Sequence, residues 1–195
     1  KKHQVKIGAH PSFPDKENFG RLRMDISSED LLVSLKTQVI SLLKVLETEN
    51  CSLHHIKPHG ALYNLANTDQ AYAEIIIDLM KHFEGRKLYA PYGSLIAKMA
   101  EEANISVVYE AFADRNYNDD LTLVSRSKSH ALIEDAEQMS AHVINMILHH
   151  HVITINSTEK HIEADTICIH GDHPHAEHHL QILTEQLIKK GIQIL

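Results

Sequence analysis

The sequence predicts an α/β fold with a parallel sheet, and two observations carry that prediction. Short β-rich runs alternate with longer stretches of helical apolar spacing along all 195 residues, the pattern that right-handed crossovers between parallel strands produce. Histidines, carboxylates and cations then follow the strand runs directly, where parallel α/β folds build their sites. From these residues alone the sheet could be open or closed into a β/α barrel. The length suits one domain, 1–195, with a substantial core, and no repeat or linker marks a boundary.

The β-rich runs are Val5–Ala9, Leu53–Ile56, Lys87–Ala90, Ser106–Glu110, Thr166–Ile169 and Ile192–Leu195. The first crossover helix has apolar residues at Leu31, Leu32, Leu35, Val39, Leu42, Leu43 and Leu46, a spacing of three and four. Ser27 followed by Asp30 reads as a capping box and starts this helix near Ser28. Further helices are expected over Asp69–Lys81, Ser94–Ala103 and Asp135–Leu148. A last one has Ala176, Leu180, Leu183 and Leu187 on one face and stops at Gly191. Two long irregular stretches remain, His10–Ile26 and Ala111–Ile133, and loops of that length in a compact domain tend to be functional or disordered.

Composition narrows the classes. The chain is 43% hydrophobic and 23% charged, with no tryptophan and a formal net charge of −7, which argues against a general nucleic-acid binder. No apolar run is long enough to span a bilayer, and no signal-peptide pattern opens the sequence. Cys51 and Cys168 form neither a CxxC nor a disulfide framework, so the expected compartment is the reducing cytoplasm. The oddity is 17 histidines, several of them clustered at His54-His55, His149–His151 and His173–His179. Most are expected to be solvated. The His149–His151 run is expected to close a helix, where it suits the negative end of the dipole; an adventitious metal there would say little about function.

The strand ends carry the chemistry. Gly8-Ala9-His10-Pro11 leads to Asp15 and Phe19-Gly20-Arg21; Lys57-Pro58-His59-Gly60 leads to Tyr63; Glu110 leads to Asp114-Arg115 and Tyr117; and the run ending at Ile169 leads to His170-Gly171-Asp172. A strand end followed by His-Gly or His-Pro recurs three times. One strand-end rim would bring His10, Lys57, His59, Glu110, Asp114, Arg115, His170 and Asp172 towards one cleft. Each residue taken singly also has an ordinary role: a turn histidine, a helix cap at Asp172, a surface pair at Asp114-Arg115. As a set they permit hydrolysis or activation of a carbonyl or phosphoryl group. His59, His170, Asp172 and Asp114 are the candidate acid–base residues. Lys57, Arg115, Glu110, His10, Arg21 and Tyr63 are the candidate binding residues, the two cations Lys57 and Arg115 suiting a carboxylate or phosphate. Histidines with aspartates could also hold a divalent metal that activates water. No P-loop, GxGxxG or GxSxG motif is present.

Five segments in order, IGAHPSFPD with NFGR, KPHGALYN, EAFADRNY, LVSR and HGDHP, resemble the LamB/YcsF family over essentially the whole chain. The resemblance implies a seven-stranded β/α barrel of the glycoside hydrolase/deacetylase type. It also implies the A component of an ATP-dependent 5-oxoprolinase, which cleaves 5-oxo-L-proline to L-glutamate with ATP as cosubstrate and with subunits B and C as partners. Two other roles are compatible with it: a metal-dependent, deacetylase-like hydrolase of carbohydrates, and a noncatalytic component that positions substrate. Two departures from the family pattern stand out. The chain begins after the family's N-terminal motifs, so the first strand section of the barrel is expected to be missing. Asp120-Leu121 stands where the family usually has Asp-Gly.

Overall fold

The computed structural model describes residues 3–172 and 175–194 and divides into two compact units, residues 1–108 and 109–195. In the first, β1 (Ile7–Ala9), β2 (Leu53–Ile56) and β3 (Lys87–Ala90) lie side by side in parallel. Gly8 pairs with His55 and Ala9 with Ile56, after a register irregularity between Ile7 and Gly8. Four helices join and cover these strands: α1 (Ser28–Thr48), α2 (Gly60–Ala66), α3 (Gln70–Lys81) and α4 (Leu95–Glu102).

Capping chemistry sets the helix starts. The Ser27 side chain accepts the Asp30 N–H, Asp69 accepts that of Ala71 and Ser94 that of Ala97, each satisfying a donor the first turn leaves without an intrahelical partner. Leu31, Leu35 and Val39 of α1 are fully buried. They join Ile76 and Leu79 of α3, Ile96 of α4, and Ile56 and Leu88 of the sheet in the core of this unit. The short helix α2 has no counterpart in the sequence expectation: seven residues offer under two turns, too few for an apolar period to show.

In the second unit β4 (Val107–Phe112), whose first two residues belong to the first unit, pairs in parallel with β7 (Thr166–Cys168). Helices α5 (Ala136–Leu148) and α6 (Ala176–Lys189) supply Met139, Val143, Met146, Leu183 and Leu187 to its core. Gly191, at φ +77°, follows α6 as expected.

Several expectations need correcting here. His151 does not close a helix: α5 ends at Leu148 with His149 as its C-cap, and His151 opens β5 (His151–Ile153). Strand β5 pairs antiparallel with β6 (Glu159–His161), a hairpin of two three-residue strands too short for period-two alternation to stand out. Ile192–Ile194 form no strand, and Leu195 lies outside the described residues. Leu180 is 49% exposed, because α6 turns His179, Leu183 and Leu187 inwards instead. The chain is thus an α/β fold with five parallel strands, three in one unit and two in the other, plus a hairpin.

Candidate functional site

The turns after β1 and β2 are bound to each other by backbone. Lys57 N–H donates to Ala9 O at 2.9 Å and His59 N–H to Pro11 O at 2.9 Å, while Ala61 N–H reaches Gly20 O at 3.0 Å. Gly20 (φ +65°) and Gly60 (φ +58°) permit that approach; a Cβ on Gly60 would stand 2.5 Å from Gly20 O. The result places His10 and His59 in direct contact, Nε2 to Nδ1 at 2.9 Å. His10 Nδ1 faces Lys57 O at 2.7 Å, and His59 Nε2 faces Phe19 O at 2.8 Å. The cations stand over rings in the same turns: the Lys57 ammonium over Tyr63 at 5.8 Å and the Arg21 guanidinium over Phe19 at 5.3 Å. Five predicted residues, His10, Arg21, Lys57, His59 and Tyr63, therefore gather in this unit.

Another imidazole there escaped the sequence reading. His55 stacks on Tyr89 at 3.8 Å with 10° between the rings and lies over Gly8, where a Cβ would come within 2.0 Å of His55 Nε2. Burial, then His54 and Lys57, push its pKa down to about 4, so it is neutral at pH 7. Nothing in the His-His dipeptide distinguishes this residue from a solvated one; the pairing of β2 with a glycine on β1 does.

In the second unit the Asp114 carboxylate is completely buried and accepts twice from His170: from the backbone N–H at 3.1 Å and from Nδ1 at 2.8 Å. Burial by itself raises this carboxyl's pKa, yet the hydrogen bonds and charge of His170 outweigh it and hold the pKa below the ordinary value. With Nδ1 committed to a carboxylate, which only accepts, the imidazole carries its hydrogen there and its basic lone pair on Nε2. The His170 ring lies at 5.6 Å from Phe112, nearly parallel to it, and its side chain is 25% exposed.

The other predicted residues do structural work or stand in the solvent. Glu110 is buried on β4, opposite Thr166. Arg115, 5% exposed, donates to Val124 O at 2.6 Å and to Ala131 O at 3.4 Å, so its guanidinium braces the 111–133 loop. Asp172 lies exposed in the turn after β7, and α6 starts only after His175, so Asp172 does not cap it. His173 and Pro174, the end of the fifth motif, lie outside the described residues. One further group braces β4: the Tyr117 hydroxyl accepts the Phe112 N–H at 2.8 Å. His142 of α5 has a buried Nε2 with no hydrogen-bond partner, and burial pushes its pKa down to about 4. Leu121 sits at φ +64°, the left-handed conformation that a glycine would adopt without strain.

Among the described residues no group of three or more His, Cys, Asp or Glu side chains is arranged to hold a metal ion, and no helix is long and apolar enough to cross a membrane. A sequence model of the LamB/YcsF family, meanwhile, matches residues 1–195.

The chain belongs to the LamB/YcsF family.

Relatives in that family agree. The chain is 38% identical over 195 residues to the A subunit of 5-oxoprolinase from Haemophilus influenzae (strain PittEE), covering all of this chain and 80% of that protein. It is 37% identical over 196 residues to its namesake from Pyrococcus furiosus, covering all of this chain and 77% of the relative. A crystal structure of a lactam utilization protein from Thermus thermophilus superposes with a TM-score of 0.91 at 35% identity, over 99% of this chain and 77% of that one.

Proposed function

We propose that this LamB/YcsF protein is the A component of an ATP-dependent 5-oxoprolinase, in which His170 acts as the general base and Asp114 orients it. The observation that carries the reading is the buried Asp114 carboxylate on His170 Nδ1 at 2.8 Å, an arrangement that aims a basic Nε2 outward. The names of the relatives at 36–38% identity support the substrate. Partner subunits B and C, a cytoplasmic location and a β/α barrel of the glycoside hydrolase/deacetylase type are parts of the same reading.

A lactam carbonyl is a poor electrophile, and phosphorylation of its oxygen by ATP makes the ring carbon reactive. His170 Nε2 takes a proton from a water, whose oxygen then bonds to that carbon. The C–N bond breaks, the nitrogen takes a proton and an acyl phosphate remains. A second water displaces phosphate, so 5-oxoproline, ATP and two waters become glutamate, ADP and phosphate. The chain's own side chains supply the proton transfers. Dependence of ATP hydrolysis on 5-oxo-L-proline is the test, with this chain assayed with and without subunits B and C. Glutamate and phosphate in equal amounts are expected from the complete complex; ATP turnover indifferent to 5-oxoproline would overturn the proposal.

A further inference from the structure

Helix α5 carries two stripes. Met139, Val143 and Met146 are buried in the core of the second unit. Beside them Gln138, His142 and Asn145, spaced four and three apart and so on one helix face, line a cleft of about 330 Å³. Leu132 and Ile133 of the 111–133 loop and Ile153 of β5 supply its apolar wall, and Asn116 adds a third amide. Asn116 Nδ2 donates to His130 O at 2.8 Å, which leaves its Oδ1 to accept. Among the described residues no lysine, arginine, aspartate or glutamate lines the cleft. His142 is the unusual member: its Nε2 is buried and meets no hydrogen-bond partner among the described residues. Burial pushes its pKa down to about 4, so the ring is neutral at pH 7. A buried polar atom left unpaired costs stability, and a partner from outside the chain would relieve that cost.

We propose that this cleft binds a small uncharged amide, either a carboxamide or a lactam that lacks a carboxylate. An amide carries a donor and an acceptor side by side, as do the carboxamides of Gln138 and Asn145, so ligand and side chain can exchange paired N–H···O bonds. The neutral imidazole offers either a hydrogen or a lone pair at Nε2, and an amide answers both. Imidazole χ2 turns in a broad well, so the ring that lines the cleft can bring Nε2 to an occupant. Leu132, Ile133 and Ile153 suit the hydrocarbon part of such a ligand. A carboxylate would find no cation in the lining and would lose its hydration without compensation. The cleft shares no residue with the Asp114–His170 pair, and its ligand lacks the carboxylate of 5-oxoproline. The site therefore stands or falls apart from the reading of that pair.

The test is a titration of the full chain, labelled with ¹⁵N-histidine, with 2-pyrrolidone or acetamide at neutral pH, read by the ring nitrogens and by calorimetry. Saturable binding in the millimolar range, weak because so few atoms make contact, is expected to move the His142 signals. Acetate is expected to leave them in place. Gln138→Ala, a change at an exposed position of the cleft, is expected to weaken 2-pyrrolidone binding about fivefold, the loss of one hydrogen bond. His142→Leu should weaken it at least as much; if that variant does not fold, Gln138→Ala and the wild-type titration decide. Shifts that grow without saturating, acetate bound as well as acetamide, or an affinity unchanged by Gln138→Ala would each overturn the proposal. So would His142 signals that stay in place, which would mean a cleft filled by water only. None of these readouts depends on turnover, so an inactive complex leaves this result standing, and the converse holds.

Discussion

Imidazoles end the strands in both units, and the two units employ them differently. In the first, His10 and His59 meet each other through their inner nitrogens and face backbone carbonyls with their outer ones. In the second, His170 has a buried carboxylate on Nδ1, which leaves the lone pair of the neutral ring on Nε2. The residue type is the same; the group behind each ring nitrogen differs. Both units hold bulky residues in the left-handed region: Phe19 at φ +55° beside the glycines Gly20 and Gly60 that make the tight approach in the first, Leu121 and His130 at φ +64° and +61° in the second.

Asp114→Asn challenges this contrast most severely. An amide can donate where the carboxylate only accepts, so the imidazole is free to settle in the wrong tautomer. Activity of the complex should fall on the order of 10³-fold or more, by analogy with the Asp→Asn change in a Ser-His-Asp triad. Steady-state rates that stay within a few-fold of wild type would remove His170 from the role of base.

The next effect is one of pH on stability. His142 is neutral in the fold, its pKa lowered to about 4, and takes up a proton near ~6.5 when unfolded. The unfolded state therefore binds more protons between these values, and stability is lost as pH falls from about 6.5 towards 4, by roughly 3 kcal/mol if His142 acts alone. His55, lowered to about 4 as well, adds a smaller loss in the same window because it is less buried, and Asp114, whose pKa is also depressed, adds its loss at lower pH, from the ordinary carboxylate range downwards. Urea unfolding at neutral pH and at about pH 4.5 should show the difference, and His142→Leu should flatten the upper part of the curve. An equally steep acid limb in that variant would assign the loss to His55 and remove His142 from it.

The smallest effects concern the backbones. Gly60→Ala would press a Cβ against Gly20 O and is expected to cost about 2 kcal/mol. Leu121→Gly, relieving a leucine at positive φ, is expected to gain up to about 1 kcal/mol. Thermal unfolding of the two variants should therefore shift in opposite directions; a shared direction would mean that side-chain packing outweighs conformation at Leu121.

Much of the fold was legible because local physics dictates it. Ser27, Asp69, Ser94 and Asp135 mark helix starts, since an N-cap needs only its own turn. The apolar spacing of Leu31, Leu35 and Val39 names the buried face of α1 before any neighbour is known. The strand-end motifs likewise mark His10, His59, Asp114 and His170 as candidates for chemistry. What stayed hidden depends on partners distant in sequence. His55 looks solvated until β1 brings Gly8 beneath it. Arg115, a candidate ligand grip in sequence, holds the Val124 and Ala131 carbonyls across its own loop. His142 shows no motif because its lowered pKa comes from burial inside the folded unit.

The sequence by itself determined the five parallel strands and the longer helices, the caps at Ser27, Asp69, Ser94 and Asp135, the family and the chemistry available at the strand ends, all properties of neighbouring residues or ordered motifs. Only the tertiary structure decided which nitrogen of each imidazole meets a carbonyl and which meets a carboxylate. Those contacts span 40 to 56 residues, and a hydrogen-bond partner sets tautomer and charge only once the folded backbone has brought it within reach.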